Sequence, residues 1–173
     1  MGQVKVSKET SKDAVLALSV CPDRCGHCCT MGSGFLAKQD FPGLMSALHV
    51  DEEQLKARYL EQVVMFNTEL WRPRLLKNGK LPFGPCIFHK KGVGCTVQAV
   101  KPLHCRVGSP CSPVGEQIHQ WFMLNYAVNA TDPVSIREWA IYLQHASGVI
   151  PGGTIEDLVP DTERRKKIFG YKM

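Results

Sequence analysis

No apolar run in this 173-residue chain approaches the roughly 20 residues that a membrane-spanning helix needs, so no membrane partner is expected. The first residues, Met1-Gly2-Gln3-Val4-Lys5-Val6-Ser7-Lys8, contain no apolar signal region. Val6 stands where an N-myristoylation motif wants Ser or Thr, and a cytoplasmic protein is the expectation. There is no internal repeat and no low-complexity tract. A hydrolase constellation is also missing: Asp and Glu are dispersed among expected helix caps and solvent faces, and Ser33, between Gly32 and Gly34, has no assignable base. Aromatic residues make up 8% of the chain and are not interleaved with basic ones, which removes the mark of a single-strand nucleic-acid binder. The main basic run, Arg164-Arg165-Lys166-Lys167, reads as solvated charge. Asn78-Gly79 and Gly152-Gly153 are turn signals, not phosphate loops.

What the chain does have is cysteine, in two groups and nowhere else. Cys21, Cys25, Cys28 and Cys29 fall within nine residues, and Cys86, Cys95, Cys105 and Cys111 follow in a second stretch. A disulfide framework wants an oxidising compartment and a small, core-poor domain. This chain is 44% hydrophobic, enough to fill a core, and its length fits one domain. Eight thiols in a reducing cytosol point to ligands, because thiolates are soft donors for zinc, copper(I) and iron–sulfur clusters. The formal charge of +5 treats them as neutral. Eight ionised thiolates would subtract eight to give −3, and two divalent ions would add four to give +1, so the apparent basicity says little about nucleic acid.

The pattern reads as helices separated by irregular cysteine-bearing loops. A short helix is expected over residues 11–20. Asp40 reads as the N-cap of another, with Pro42 in its first turn and Leu44, Met45 and Leu48 on its apolar face. Asp51 through Gln54 resembles a capping box. Leu55, Tyr59, Val63, Phe66 and Leu70 then recur at helical spacing, which predicts a long helix stopped by Pro73 near Trp71. Residues 78–114 are dense in Gly and Pro, which forbids long regular elements and leaves short strands near Cys95-Thr96-Val97. Two further helices are expected over 115–130, with Ile118, Trp121, Phe122 and Val128 inward, and from Asp132-Pro133, with Ile136, Trp139, Ala140 and Leu143 inward. The aromatics in them read as core, not as a cofactor stripe. The chain after Pro151-Gly152-Gly153 reads as peripheral.

The spacing Cys21-x3-Cys25-x2-Cys28 lets a loop wrap an ion or a cluster, with Gly26 relieving the turn. Cys28 and Cys29 are adjacent, so their side chains should diverge, one toward the main site and the other elsewhere. Four ligands from this loop alone are therefore not expected, and one site shared with the distal group is preferred over two. The distal spacing, Cys86-x8-Cys95-x9-Cys105-x5-Cys111, lacks the Cys-x2-Cys knuckles of a zinc ribbon. Pro85, Pro102 and Pro110 fix the approach of the chain to these cysteines. His27, His89 and His104 read as donors behind the ligands or as surface residues. Arg24, Lys101 and Arg106 can offset the charge of a thiolate site.

The strings Arg24-Cys25-Gly26-His27-Cys28-Cys29, Pro85-Cys86-Ile87-Phe88, Gly94-Cys95-Thr96-Val97 and Lys101-Pro102-Leu103-His104-Cys105-Arg106 resemble the YkgJ-type cysteine-cluster family, described as zinc- or iron-chelating domains with a CxxCxxCC signature. The resemblance covers roughly residues 20–112 and implies metal binding through these cysteines. Two departures stand out: the first spacer has three residues instead of two, and Lys101 replaces the usual Arg before Pro102. A flagellin lysine methylase with a similar cluster uses S-adenosylmethionine, but this chain is too short for that enzyme's additional parts.

The resulting expectation is a mostly α, compact helical domain with irregular cysteine-rich metal-binding loops and at most short β segments. Residues 1–19 form an N-terminal extension, 20–112 the cysteine-cluster domain, 113–160 its helical continuation and 161–173 a basic tail. Cys21, Cys25, Cys28, Cys29, Cys86, Cys95, Cys105 and Cys111 are the candidate ligands, and no catalytic residue is assigned. An iron–sulfur cluster is slightly favoured over Zn2+, because the irregular distal spacing suits a cluster better than a ribbon. A protein or small-molecule partner of unknown identity is expected. The rival class is a redox or S-adenosylmethionine-dependent enzyme. Against it, about 145 residues remain after Cys28 and no alternating strand–helix pattern follows.

Overall fold

Side-chain caps fix most of the helices from local sequence alone. In the computed structural model, described over residues 6–19, 25–108 and 112–170, Ser11 caps α1 (Lys12–Leu18) by accepting the Ala14 N–H at 3.3 Å. Asp51 and Gln54 form a reciprocal capping box at the start of α3 (Glu52–Tyr59), with bonds of 2.8 and 3.3 Å. Before it lies α2 (Asp40–Leu48), whose N-cap is Gln39. Asp40 is the first helical residue, and its carboxylate is used elsewhere: it accepts the N–H of Ala37 at 2.7 Å and that of Leu103 at 3.0 Å. It therefore ties the start of α2 to the far cysteine stretch, and burial holds its pKa above the usual carboxylate value.

The long helix predicted through Trp71 ends at Tyr59 and gives way to a hairpin. Strand β1 (Leu60–Met65) pairs antiparallel with β2 (Thr68–Pro73), in register from Leu60 opposite Pro73 to Met65 opposite Thr68. The loop is two residues, Phe66 and Asn67, with φ of 51° and 54°, the type I′ geometry that matches strand twist. A bulky residue at positive φ is strained, and tertiary contacts hold it. Phe66 is buried with its ring edge-on to Trp139 at 5.3 Å, while Asn67 donates its backbone N–H to Glu138 at 2.8 Å and its side-chain amide to Asp132 at 2.7 Å. The β-branched Val63 and Val64 suit the strand. The spacing of Leu55, Tyr59, Val63, Phe66 and Leu70 imitates a helical stripe by coincidence.

Beyond the hairpin the chain has little regular structure, as its Gly and Pro content predicts. Strands β3 (His89–Lys90) and β4 (Gly94–Cys95) form a minimal antiparallel ribbon, and α4 (Leu103–Val107) is five residues long. The core helices α5 (Gly115–Tyr126) and α6 (Pro133–Leu143) follow. The end of the chain, read as peripheral, forms α7 (Ile155–Leu158) and α8 (Thr162–Phe169) and buries Leu158, Val159 and Ile168. Within the basic run, Arg164 donates to Ala130 O and Arg165 to Val159 O, both at 2.6 Å. Those two side chains brace the fold.

The architecture is mostly α, with eight helices and two short two-stranded sheets among the described residues. Two apolar clusters fill it. The larger gathers Val15, Phe66, Ile118, Phe122, Ile136 and Trp139, with Trp121 and Trp139 donating their indole N–H to Thr10 O and Gly153 O, each at 2.8 Å. The smaller lies under α2 and α3 and includes Leu44, Leu55, Leu60, Cys86, Phe88 and Val97. Among the described residues no helix is long and apolar enough to cross a membrane.

Candidate metal centre

The two cysteine stretches meet through their backbones. Past Pro73 the chain continues beside residues 85–87: Ile87 N–H donates to Arg74 O at 2.9 Å, Leu76 N–H to Pro85 O at 2.8 Å, and Leu75 bridges Cys86. This places Cys86 so that its N–H reaches Cys29 O at 2.8 Å. Cys95 is drawn in from the other side, because Thr96 bonds Phe88 O with its N–H at 2.8 Å and its hydroxyl at 3.0 Å. Ser33 is a brace, donating to Pro73 O at 2.7 Å.

The outcome is a cavity of about 220 Å³ lined by Cys28, Cys29, Cys86, Cys95 and Cys105, with Lys101, His104 and His119 on its walls. Five of the eight predicted ligands thus face one space. Cys25 is half-buried and does not border it. Beside it Gly26, at φ 62°, packs so close to His89 that a Cβ there would stand 2.7 Å from the ring Nε2. Cys21 and Cys111 lie outside the described residues. Of the predicted charge-offsetting groups, Lys101 is buried on the cavity wall, Arg106 is exposed, and Arg24 lies outside the described residues.

The expected divergence of Cys28 and Cys29 does not occur. Both sit in a 3₁₀ turn, Cys28–Thr30, whose three residues per turn set neighbours about 120° apart, less than the opposition of a strand. They line the same cavity, and the Cys29 thiol donates to the Cys28 sulfur. That bond, helped by the charge of Lys101, pulls Cys28 down to about 6, a thiolate at neutral pH. The same bond and burial push Cys29 up. Burial raises Cys86 to about 11 and Cys105 to about 12.

Hydrogen-bond donors are already aimed at the buried sulfurs. Cys86 receives the backbone N–H of Phe88 and His89, and Cys105 that of Gly34. Such donors stabilise thiolates, the form that binds metal. Gly34 has no room for more than hydrogen, since a Cβ would stand 2.7 Å from Cys105 Sγ and 2.9 Å from its N. Among the described residues no three His, Cys, Asp or Glu side chains are grouped closely enough to hold a single ion between them. Five of the described thiols border one space.

His104, expected behind the ligands or at the surface, is buried beside Cys105 with both ring nitrogens engaged. Nδ1 accepts the Phe35 N–H at 3.0 Å and Nε2 lies 3.1 Å from His119 Nδ1. Burial, with His119 as a second cause, lowers its pKa to about 3. His119 and Gly34 carry no sequence signal that marks them as site residues, because each acts through a contact more than 14 positions away. No family model, curated protein or solved structure matches the chain.

Proposed function

We propose that the protein holds an inorganic centre on cysteine thiolates, an iron–sulfur cluster in preference to a single zinc ion. The observation that carries this reading is the shared cavity: five thiols from stretches some sixty residues apart line it, and backbone N–H groups point at two of the buried sulfurs. Thiols left neutral have little use for such donors, whereas a cation in the cavity would reverse the burial penalty and draw the protons off. The preference for a cluster follows from the irregular distal spacing, Cys86-x8-Cys95-x9-Cys105-x5-Cys111, which lacks the knuckles of a zinc ribbon.

Cys28, Cys29, Cys86, Cys95 and Cys105 are the proposed ligands, with Cys21, Cys25 and Cys111 as further thiols of the set. The resemblance of residues 20–112 to YkgJ-type domains supports the same chemistry. A reducing, cytoplasmic setting belongs to the proposal, as does a protein or small-molecule partner.

Anaerobic purification with metal and acid-labile sulfide analysis tests it. Iron and sulfide in equal amounts with a brown colour lost in air is the expected result. Stoichiometric zinc without sulfide would replace cluster by zinc. Metal-free protein, unchanged after anaerobic reconstitution with iron and sulfide or with zinc, would overturn the reading. The lowered pKa of Cys28 beside a second thiol favours one alternative, thiol exchange. There, Cys28→Ser alone would abolish reactivity while metal content stayed at zero.

A further inference from the structure

We propose that His119 is the hydrogen-bond donor that the cavity offers to the sulfur of its guest, and that His104 is the residue that positions it; the inference rests on the cavity holding a thiolate-bound centre. The geometry leaves each ring one arrangement. The Phe35 backbone N–H can only donate, so His104 Nδ1, at 3.0 Å, accepts and carries no proton. The proton of a neutral His104 therefore sits on Nε2, which faces His119 Nδ1 at 3.1 Å and donates to it. His119 Nδ1 is thereby an acceptor, and the His119 proton is on Nε2. That N–H is the one polar hydrogen the side chain can offer on the cavity wall it lines.

His104 has no freedom to relax this order. Its ring lies between Phe35, stacked at 5.3 Å, and Phe122, stacked at 4.3 Å. Behind it Gly108 packs so closely that a Cβ there would stand 2.9 Å from Cδ2. A ring flip would exchange nitrogen for carbon at both ends and lose both bonds. Each Nδ1 accepts a hydrogen bond and so carries no proton, which leaves both rings neutral. A neutral donor beside a ligating thiolate or bridging sulfide withdraws electron density without adding charge, which favours the reduced, more negative state of the centre.

The test has one arm without the guest and one with it. In ¹H–¹⁵N correlation spectra of the metal-free full chain, both imidazoles should show Nε2–H. His104→Phe, which keeps the stack, should release His119 into a mixture of tautomers. In the cluster-loaded protein His119→Phe should shift the one-electron reduction equilibrium about tenfold toward the oxidised form, about 59 mV in midpoint potential. His119→Gln, whose amide can still donate, should recover part of that shift. Were the centre zinc, cobalt(II) would serve as the probe, and the thiolate-to-cobalt charge-transfer band should move to lower energy in His119→Phe and back in His119→Gln. A His119 that carries its proton on Nδ1, or a loaded His119→Phe protein with unmoved potential or band, overturns this proposal alone. A chain that takes up neither cluster nor cobalt overturns the thiolate-centre reading with it, whatever the spectra of the two histidines show.

Discussion

Replacing Gly34 by Ala sets two effects of opposite sign against each other, and the structure decides between them. Gly34 does not have a positive φ, so alanine can adopt its backbone. Reduced freedom of the unfolded chain alone would then stabilise the variant by about 0.4–1 kcal/mol. The new methyl, however, would stand 2.7 Å from Cys105 Sγ, 2.9 Å from Cys105 N and 3.2 Å from His104 C. Two of those three atoms are backbone of α4, whose first N–H is fixed by Asp40, and cannot swing aside as a surface side chain would. Overpacking of this kind costs about 1–3 kcal/mol. The net expectation is a loss of about 1.5 kcal/mol, or about 3–6 °C in Tm for a chain of this length. Gly148→Ala is the control: nothing lies within 4 Å of its would-be Cβ, so it should gain about 0.4–1 kcal/mol. Urea unfolding and thermal melts of the metal-free protein in reductant read both. Gly34→Ala should also take up less metal, because Cys105 must move. A Gly34→Ala protein that melts at or above wild type, with normal uptake, refutes the packing claimed around Cys105.

Two further outcomes concern protons. His104 is neutral when folded and falls to about 3 from an ordinary 6.5, so the unfolded chain takes up the proton first; its stabilising share is intact above pH 6.5, is lost progressively below that and is gone near pH 3. The loss is on the order of 5 kcal/mol at about 1.4 kcal/mol per unit, and His104→Phe should flatten the acid limb of urea-determined stability; a limb equally steep in both proteins would contradict the buried, doubly engaged ring. In metal-free protein, alkylation by iodoacetamide should strike Cys28 first, with its rate half-maximal near pH 6, and Cys29→Ala should move that midpoint up by removing the donor. Peptide mass spectrometry that finds Cys86 or Cys105 modified first would count against the assigned thiolate.

Sequence alone determined the elements whose signals are local. The Asp51–Gln54 capping box, Asp132 before Pro133 and the inward periodicity of Ile118, Trp121, Phe122, Ile136 and Trp139 each concern residues within a turn or two of one another. For that reason they were legible, as was the irregularity forced by Gly and Pro around the distal cysteines. The hairpin was not, because its positive-φ turn at Phe66-Asn67 is held by Trp139, Glu138 and Asp132, some seventy positions away. Cysteine spacing marked the ligand candidates but not their meeting place. Only the tertiary structure laid residues 85–87 along the chain after Pro73, bonded Cys86 to Cys29, and curled Cys28 and Cys29 toward one cavity. It also brought His119 to the wall through His104 and left Gly34 no room for a side chain. Local chemistry writes caps and turns into a few adjacent residues, whereas a site built from distant stretches exists only after the core between them has closed.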